Sequence, residues 1–138
     1  MRAAAALLIG AVLASCSTAP EPVQLSPQAQ HELAALLAGK VAGPPMSCLQ
    51  NYNAYDMRII DDRTVTFRSG ASAVYLMELS PGCNSLSSGH YALLARQAGG
   101  MGYCSGDIVR VFDTTNHFTV GSCGIDRIIP YRSSASRY

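Results

Sequence analysis

Five cysteines, nine carboxylates and three histidines are the side chains through which this sequence could do chemistry. Cys48, Cys83, Cys104 and Cys123 could in principle hold zinc or exchange electrons. Their spacing fits neither: no two stand as C-x-x-C, whereas structural zinc sites supply close ligand pairs and thiol exchange uses that spacing at a helix start. An even number of thiols suits disulfides in an oxidising compartment instead. Four cysteines allow three pairings, and the expected one joins Cys83 to Cys104 and Cys48 to Cys123. The first bond would staple neighbouring loops; the second would tie the start of the domain to its last hairpin. On the chain-entropy view, loops of about 20 and about 75 residues contribute roughly 3 to 4.5 kcal/mol each, so the other two pairings stay open.

The acidic pair Asp61-Asp62 invites general acid–base chemistry or calcium binding. Adjacent strand residues point to opposite faces, however, and aspartates between strands ordinarily build turns. The calcium-loop pattern is absent as well. His31, His90 and His117 have no ligand spacing such as H-x-x-x-H and read as surface or partly packed side chains. Ser88, His90 and Asp107 could be drawn as a triad, but no G-x-S-x-G elbow carries the serine. Gly99-Gly100-Met101-Gly102 lacks the G-x-x-x-x-G-K pattern and the following helix of a phosphate loop, and reads as a flexible connector. Tyr52, Tyr55, Tyr75, Tyr91 and Tyr103 suit a binding face or the half-buried edge of a small sheet equally well. Arg58, Arg63, Arg68 and Arg110 could ring an acidic ligand, yet Asp61, Asp62, Glu78 and Asp107 offer as many counter-charges, which makes a mixed solvated surface. The expectation is therefore no catalytic residue, no cofactor and no metal ligand.

The fifth cysteine has a different context. Met1-Arg2 is followed by an unbroken apolar run from Ala3 to Leu13. At about 11 residues the run is too short to cross a bilayer, which takes about 20, and it has the layout of a secretory signal. It ends in Leu13-Ala14-Ser15-Cys16, which resembles the lipobox of bacterial lipoproteins. That resemblance implies lipid on the Cys16 thiol, cleavage of residues 1–15 and a membrane partner held through acyl chains. Ser17, rather than aspartate, follows the cysteine, which resembles the default route to the outer membrane.

Without residues 1–15 the chain has 123 residues, enough for one domain and not two. Arg2 leaves with the signal, so nine basic side chains balance nine acidic ones. Zero net charge argues against nucleic acid, whose binding rests on phosphate neutralisation, and gives no general attraction to acidic ligands or lipids.

The elements that must position these residues can be read along the chain. Residues 16–25, with two prolines and no apolar period, form an anchor and tether. Ser26-Pro27 is a helix start, and Ala29, Leu33, Leu36 and Leu37 lie on one face of an amphipathic helix over about 27–38 that Gly39 stops. Beyond Pro44-Pro45 the pattern turns to short strands. Residues 57–60 and 64–68 make a hairpin; 73–79 is apolar on both faces, as a central or covered strand would be; 90–95, 107–112, 117–123 and 127–131 follow. Residues 133–138 read as a frayed tail. The predicted domain, 26–132, is mainly β: a small antiparallel sandwich or barrel of six to seven short strands, one helix at its N-terminal side and two disulfides.

The motifs Ile60-Asp61-Asp62-Arg63-Thr64-Val65-Thr66-Phe67-Arg68, Leu79-Ser80-Pro81-Gly82-Cys83, Cys104-Ser105-Gly106-Asp107-Ile108 and Gly121-Ser122-Cys123-Gly124-Ile125, with Pro130, occur in that order. Together, over about residues 45–131, they resemble a family of short exported proteobacterial proteins catalogued as a domain of unknown function. The resemblance implies an exported β-rich domain and no activity. The resulting expectation is an envelope lipoprotein on the periplasmic side of the outer membrane that acts through structure or an envelope protein partner. The alternative is a binding protein or small hydrolase for cell-wall or lipid fragments, which needs a cleft with convergent polar groups.

Overall fold

Ser26 holds an extended backbone, and its hydroxyl accepts a hydrogen bond from the Ala29 N–H at 3.2 Å, capping helix α1 (Pro27–Leu37). Proline at the first helical position needs no N–H there. At the other end Gly39 takes φ +70°, and the Lys40 ammonium donates to the Leu36 carbonyl at 3.2 Å. The computed structural model describes residues 22–95, 100 and 102–134. Cys16 and the apolar run before it lie outside the described residues.

Nine strands follow the helix among the described residues: β1 (Lys40–Ala42), β2 (Cys48–Leu49), β3 (Met57–Asp61), β4 (Thr64–Ser69), β5 (Ala73–Leu79), β6 (Tyr91–Ala95), β7 (Tyr103–Cys104), β8 (Ile108–Asp113) and β9 (Thr119–Ser133). Strands β3-β4-β5-β9-β8-β6 pair in that order into one curled antiparallel sheet, a half-barrel. β1 lies beside the end of β9, and β2 pairs with β7 separately. The fold is mainly β, as the strand-like periodicity predicts.

Period-2 alternation decides which side chains meet. Val65, Phe67, Tyr75, Met77, Leu79, Val109, Val111, Ile125 and Ile128 point to the concave face and are buried. Each large apolar side chain so buried contributes roughly 1.5–3 kcal/mol. Thr64, Thr66, Val74 and Leu76 point to the other face and are buried too, because α1 packs across β3 and its neighbours on that side. That covering is why β5 had to be apolar on both faces. Ala29 is the fully buried residue of the helix; Leu33, Leu36 and Leu37 are half-buried.

The gap between the sheet's two edges is filled by the connection from β5 to β6. Its 3-10 turn, Leu86–Ser88, packs on both β3 and β6, and Leu86 is 1% exposed. At the opposite end the β2–β7 pair closes the barrel, with Leu49 fully buried and the Tyr103 ring 5.0 Å from that of Phe67.

Three features depart from the expected layout. The expected strands 117–123 and 127–131 merge into the single 15-residue β9, which starts at Thr119, because the intervening backbone finds partners from distant segments. Ser80 N–H donates to the Gly124 carbonyl, Ile125 N–H to the Asp107 carbonyl, and the Ile125 carbonyl accepts from Gly106 N–H, at 2.8–2.9 Å. Ser133, expected in the tail, ends that strand and donates to Ser72. Strands β1, β2 and β7, two or three residues each, are too short to leave a periodic pattern.

The disulfide pairing is the larger correction. The bonds are Cys48–Cys104 and Cys83–Cys123, not Cys83–Cys104 and Cys48–Cys123. Cys48 and Cys104 are register partners across the β2–β7 pair, with Cα atoms 4.0 Å apart. Cys83 lies where its loop crosses β9, 5.3 Å from the Cα of Cys123. Two close backbone approaches permit this. A Cβ at Gly102 would collide with the Leu49 carbonyl, and one at Gly82 would meet the Ser122 carbonyl at 2.5 Å.

Candidate functional site

The carboxylates are where chemistry would have to start, and each of four is already engaged by backbone. Asp61 accepts from the Arg63 N–H at 2.8 Å, an Asx turn that carries β3 into β4. Asp62, on the opposite face, reaches into the β5–β6 connection. Its carboxylate accepts from Ser85 N–H at 2.9 Å and from Ser87 N–H and hydroxyl at 2.8 Å each. Partial burial pushes the Asp62 carboxyl upward, but the Ser87 and Ser85 bonds outweigh it and hold it below the ordinary carboxylate value. Asp107 accepts from Cys104 N–H at 3.0 Å. Asp113, 6% exposed, takes the Asn116 side chain and the N–H groups of Asn116 and Thr115, and is likewise held low, the Asn116 bonds being the main cause.

The pair 61–62 thus divides its labour as adjacent residues must: one builds its own turn, and the other pins the segment that fills the barrel's gap. Ser88, His90 and Asp107 are not organised as a triad. The Ser88 hydroxyl donates to the Ser85 carbonyl at 2.8 Å, His90 is exposed, and Asp107 is spent on Cys104. His31 is exposed on α1; His117, at φ +61°, sets its ring edge-on to Phe112 at 6.3 Å. No group of three or more metal-ligating side chains converges among the described residues. Of the glycine-rich connector, Gly99 and Met101 lie outside the described residues; the Gly100 carbonyl accepts from the Asn51 amide at 2.8 Å, and Gly102 is buried against β2.

The five tyrosines do not share a face. Tyr52 and Tyr55 are exposed, Tyr75 is buried beneath Arg132 at 5.9 Å, and Tyr91 and Tyr103 are half-buried against the core. Burial pushes the Tyr103 phenol upward. The arginines are scattered as well. Arg58 pairs with Glu32 at 3.7 Å, Arg68 with Asp56 at 2.8 Å, and Arg63 donates to the Leu79 carbonyl at 3.1 Å. Glu78, expected to answer one of these, is bound by Arg127. Arg110 has no acidic partner among the described residues.

Two clefts flank residues 22–25 where they cross the sheet. One, of about 700 Å³, is polar, with Asp61, Asp62, Gln24, Gln28 and Ser87 on its walls. The other, of about 830 Å³, has Leu25, Leu33 and Leu76 on its floor and Arg63, Asp126 and the Glu78–Arg127 pair at its rim. His90, Tyr91 and Tyr103 line neither. No local pattern signals these clefts, because they form only where residues 22–25 and α1 lie over the sheet.

The family model described as a family of unknown function (DUF6491) matches residues 1–137. No curated protein and no solved structure matches the chain.

Proposed function

Since the chain belongs to a family of unknown function, its role has to be read from its own residues, and we propose that it is a lipid-anchored domain of the bacterial cell envelope that works through contacts rather than catalysis. In this reading residues 1–15 are a signal, Cys16 carries the lipid, and residues 16–25 tether the domain to the periplasmic side of the outer membrane. The observation that carries the non-catalytic part is the fate of the polar groups. Asp61, Asp62, Asp107 and Asp113 are spent in holding turns and the gap-filling connection. The two disulfides, one at each place where a connection crosses a strand pair or strand, support residence in an oxidising compartment.

The binding alternative is favoured by one feature, the amphipathic cleft of about 830 Å³ beside the tether, which could take a lipid or cell-wall fragment. The hydrolase form of that alternative has no residue set to recommend it.

Mass spectrometry of the protein isolated from its natural membrane tests the anchor: the expected first residue is Cys16 bearing diacylglycerol and an acylated amine. A Cys16→Ala variant is expected to leave the membrane fraction. An unprocessed, unmodified chain in the cytosol would end this reading.

A further inference from the structure

The helix covers only half of the sheet's outer face. We propose that the other half, the outer face of β6, β8 and the first part of β9, rests on the bilayer that holds the chain's own lipid; this rests on the anchor at Cys16 proposed above.

The register places Leu94 and Phe112 with Arg110 and Ile108 on one side of the pleat: Leu94 lies opposite Arg110, and Arg110 opposite Ser122. Leu94 is 47% exposed, Ile108 59%, and Phe118, in the turn beyond β8, 52%. Isolated exposed apolar side chains need no explanation, but Leu94 and Ile108 share one sheet face with half-buried Phe112, and Phe118 is exposed in the adjoining turn. Arg110 stands among them. Each of the other five described arginines has a partner within the domain: Glu32, Asp56, Glu78, a carbonyl or Tyr75. Arg110 has none among the described residues. A guanidinium flanked by Leu94, Ile108 and Phe112 fits a phospholipid surface, where the apolar side chains enter the acyl boundary and the cation reaches a phosphate.

The tether selects the bilayer over other occupants. From Cys16 to Pro22, the first described residue, is six residues, which reach at most about 20 Å. Pro22 lines the same cleft as Asp126 and Arg127 of β9, and Gly124, opposite Ile108, is three residues further along that strand, about 10 Å from Arg127. β9 therefore runs from the Ala73 end of the sheet, past the tether, and on to the bare face. A surface kept within this distance of the face is present at high effective concentration, whereas a second copy must arrive by diffusion.

The chain has no tryptophan, so one introduced at an exposed position is a unique reporter. The full lipidated chain carrying Ile108→Trp, Phe118→Trp or Tyr52→Trp is reconstituted in vesicles of phosphatidylethanolamine and phosphatidylglycerol, with and without bromine on the acyl chains. Ile108→Trp and Phe118→Trp are expected to shift to the blue and lose about twofold in intensity to brominated lipid, as interfacial side chains do. Tyr52→Trp, beyond the far end of β3–β4, should do neither. Equal, unquenched emission from all three overturns the proposal. A blue shift that grows with protein concentration and ignores bromine assigns the face to a second copy and overturns it too. The mass of the same samples separates the two readings: lipid on Cys16 without quenching sinks this inference alone, and no lipid on Cys16 sinks both.

Discussion

Asp62 is a carboxylate whose value lies in what it holds. Its three hydrogen bonds to Ser85 and Ser87 keep its proton affinity below that of the unfolded chain. Below about pH 4 the unfolded chain therefore binds more protons than the folded one. The stabilisation is complete above the ordinary carboxylate value and drains away as pH falls through the lower folded value. Asp113 acts in the same direction. Asp62→Asn is expected to cost roughly 1 kcal/mol at neutral pH, the site being partly solvated, and to flatten the acid-side loss of stability. Denaturant midpoints between about pH 7 and about pH 3 measure both effects. A second residue-scale test compares two glycines. Gly102→Ala, at φ +106° and against the Leu49 carbonyl, should cost more than about 2 kcal/mol, whereas Gly106→Ala, at φ +91° in open space, should cost about 1.

At the scale of elements, a half-barrel with two sheet edges has to blunt them, since unpaired strand edges invite pairing with other chains. Here the β5–β6 connection lies between the edge strands β3 and β6, and Leu86 is its buried wedge. Leu86→Ala should cost about 2–5 kcal/mol by the cavity it leaves. Equilibrium unfolding reads that cost, and hydrogen exchange should report faster opening of β3 and β6 than of β5. If instead β5 and β9 loosen first, the wedge is not what holds the edges. Helix α1 plays the matching part on the outer face, where its burial of Thr66, Val74 and Leu76 turns β5 into a strand covered on both sides.

At the scale of the whole molecule, the disulfides fix the two connections that local structure holds least. Cys83–Cys123 spans 40 residues and Cys48–Cys104 spans 56. Loops of that size correspond to about 4 kcal/mol each on the chain-entropy model. Digestion without reduction should release the 48–104 and 83–123 linked peptides, and no 83–104 peptide. A Cys83→Ser/Cys123→Ser double variant should unfold at lower denaturant by about that energy.

What the sequence determined alone was what local pattern encodes. Ser26-Pro27 and Gly39 bound the helix, residues 73–79 marked a strand covered on both faces, and Asp61-Asp62-Arg63 marked a turn, because capping, pleat and turn chemistry act within a few residues. Tertiary structure decided the partners. Which cysteine meets which, the fusion of two predicted strands into β9, the existence of β1, β2 and β7, and the clefts beside residues 22–25 all depend on contacts between distant segments. The entropy of closing a loop changes by only about 0.6 kcal/mol for each doubling of its length, so chain spacing hardly ranks such partners. The packed sheet, through register and close backbone approach at Gly82 and Gly102, ranks them decisively.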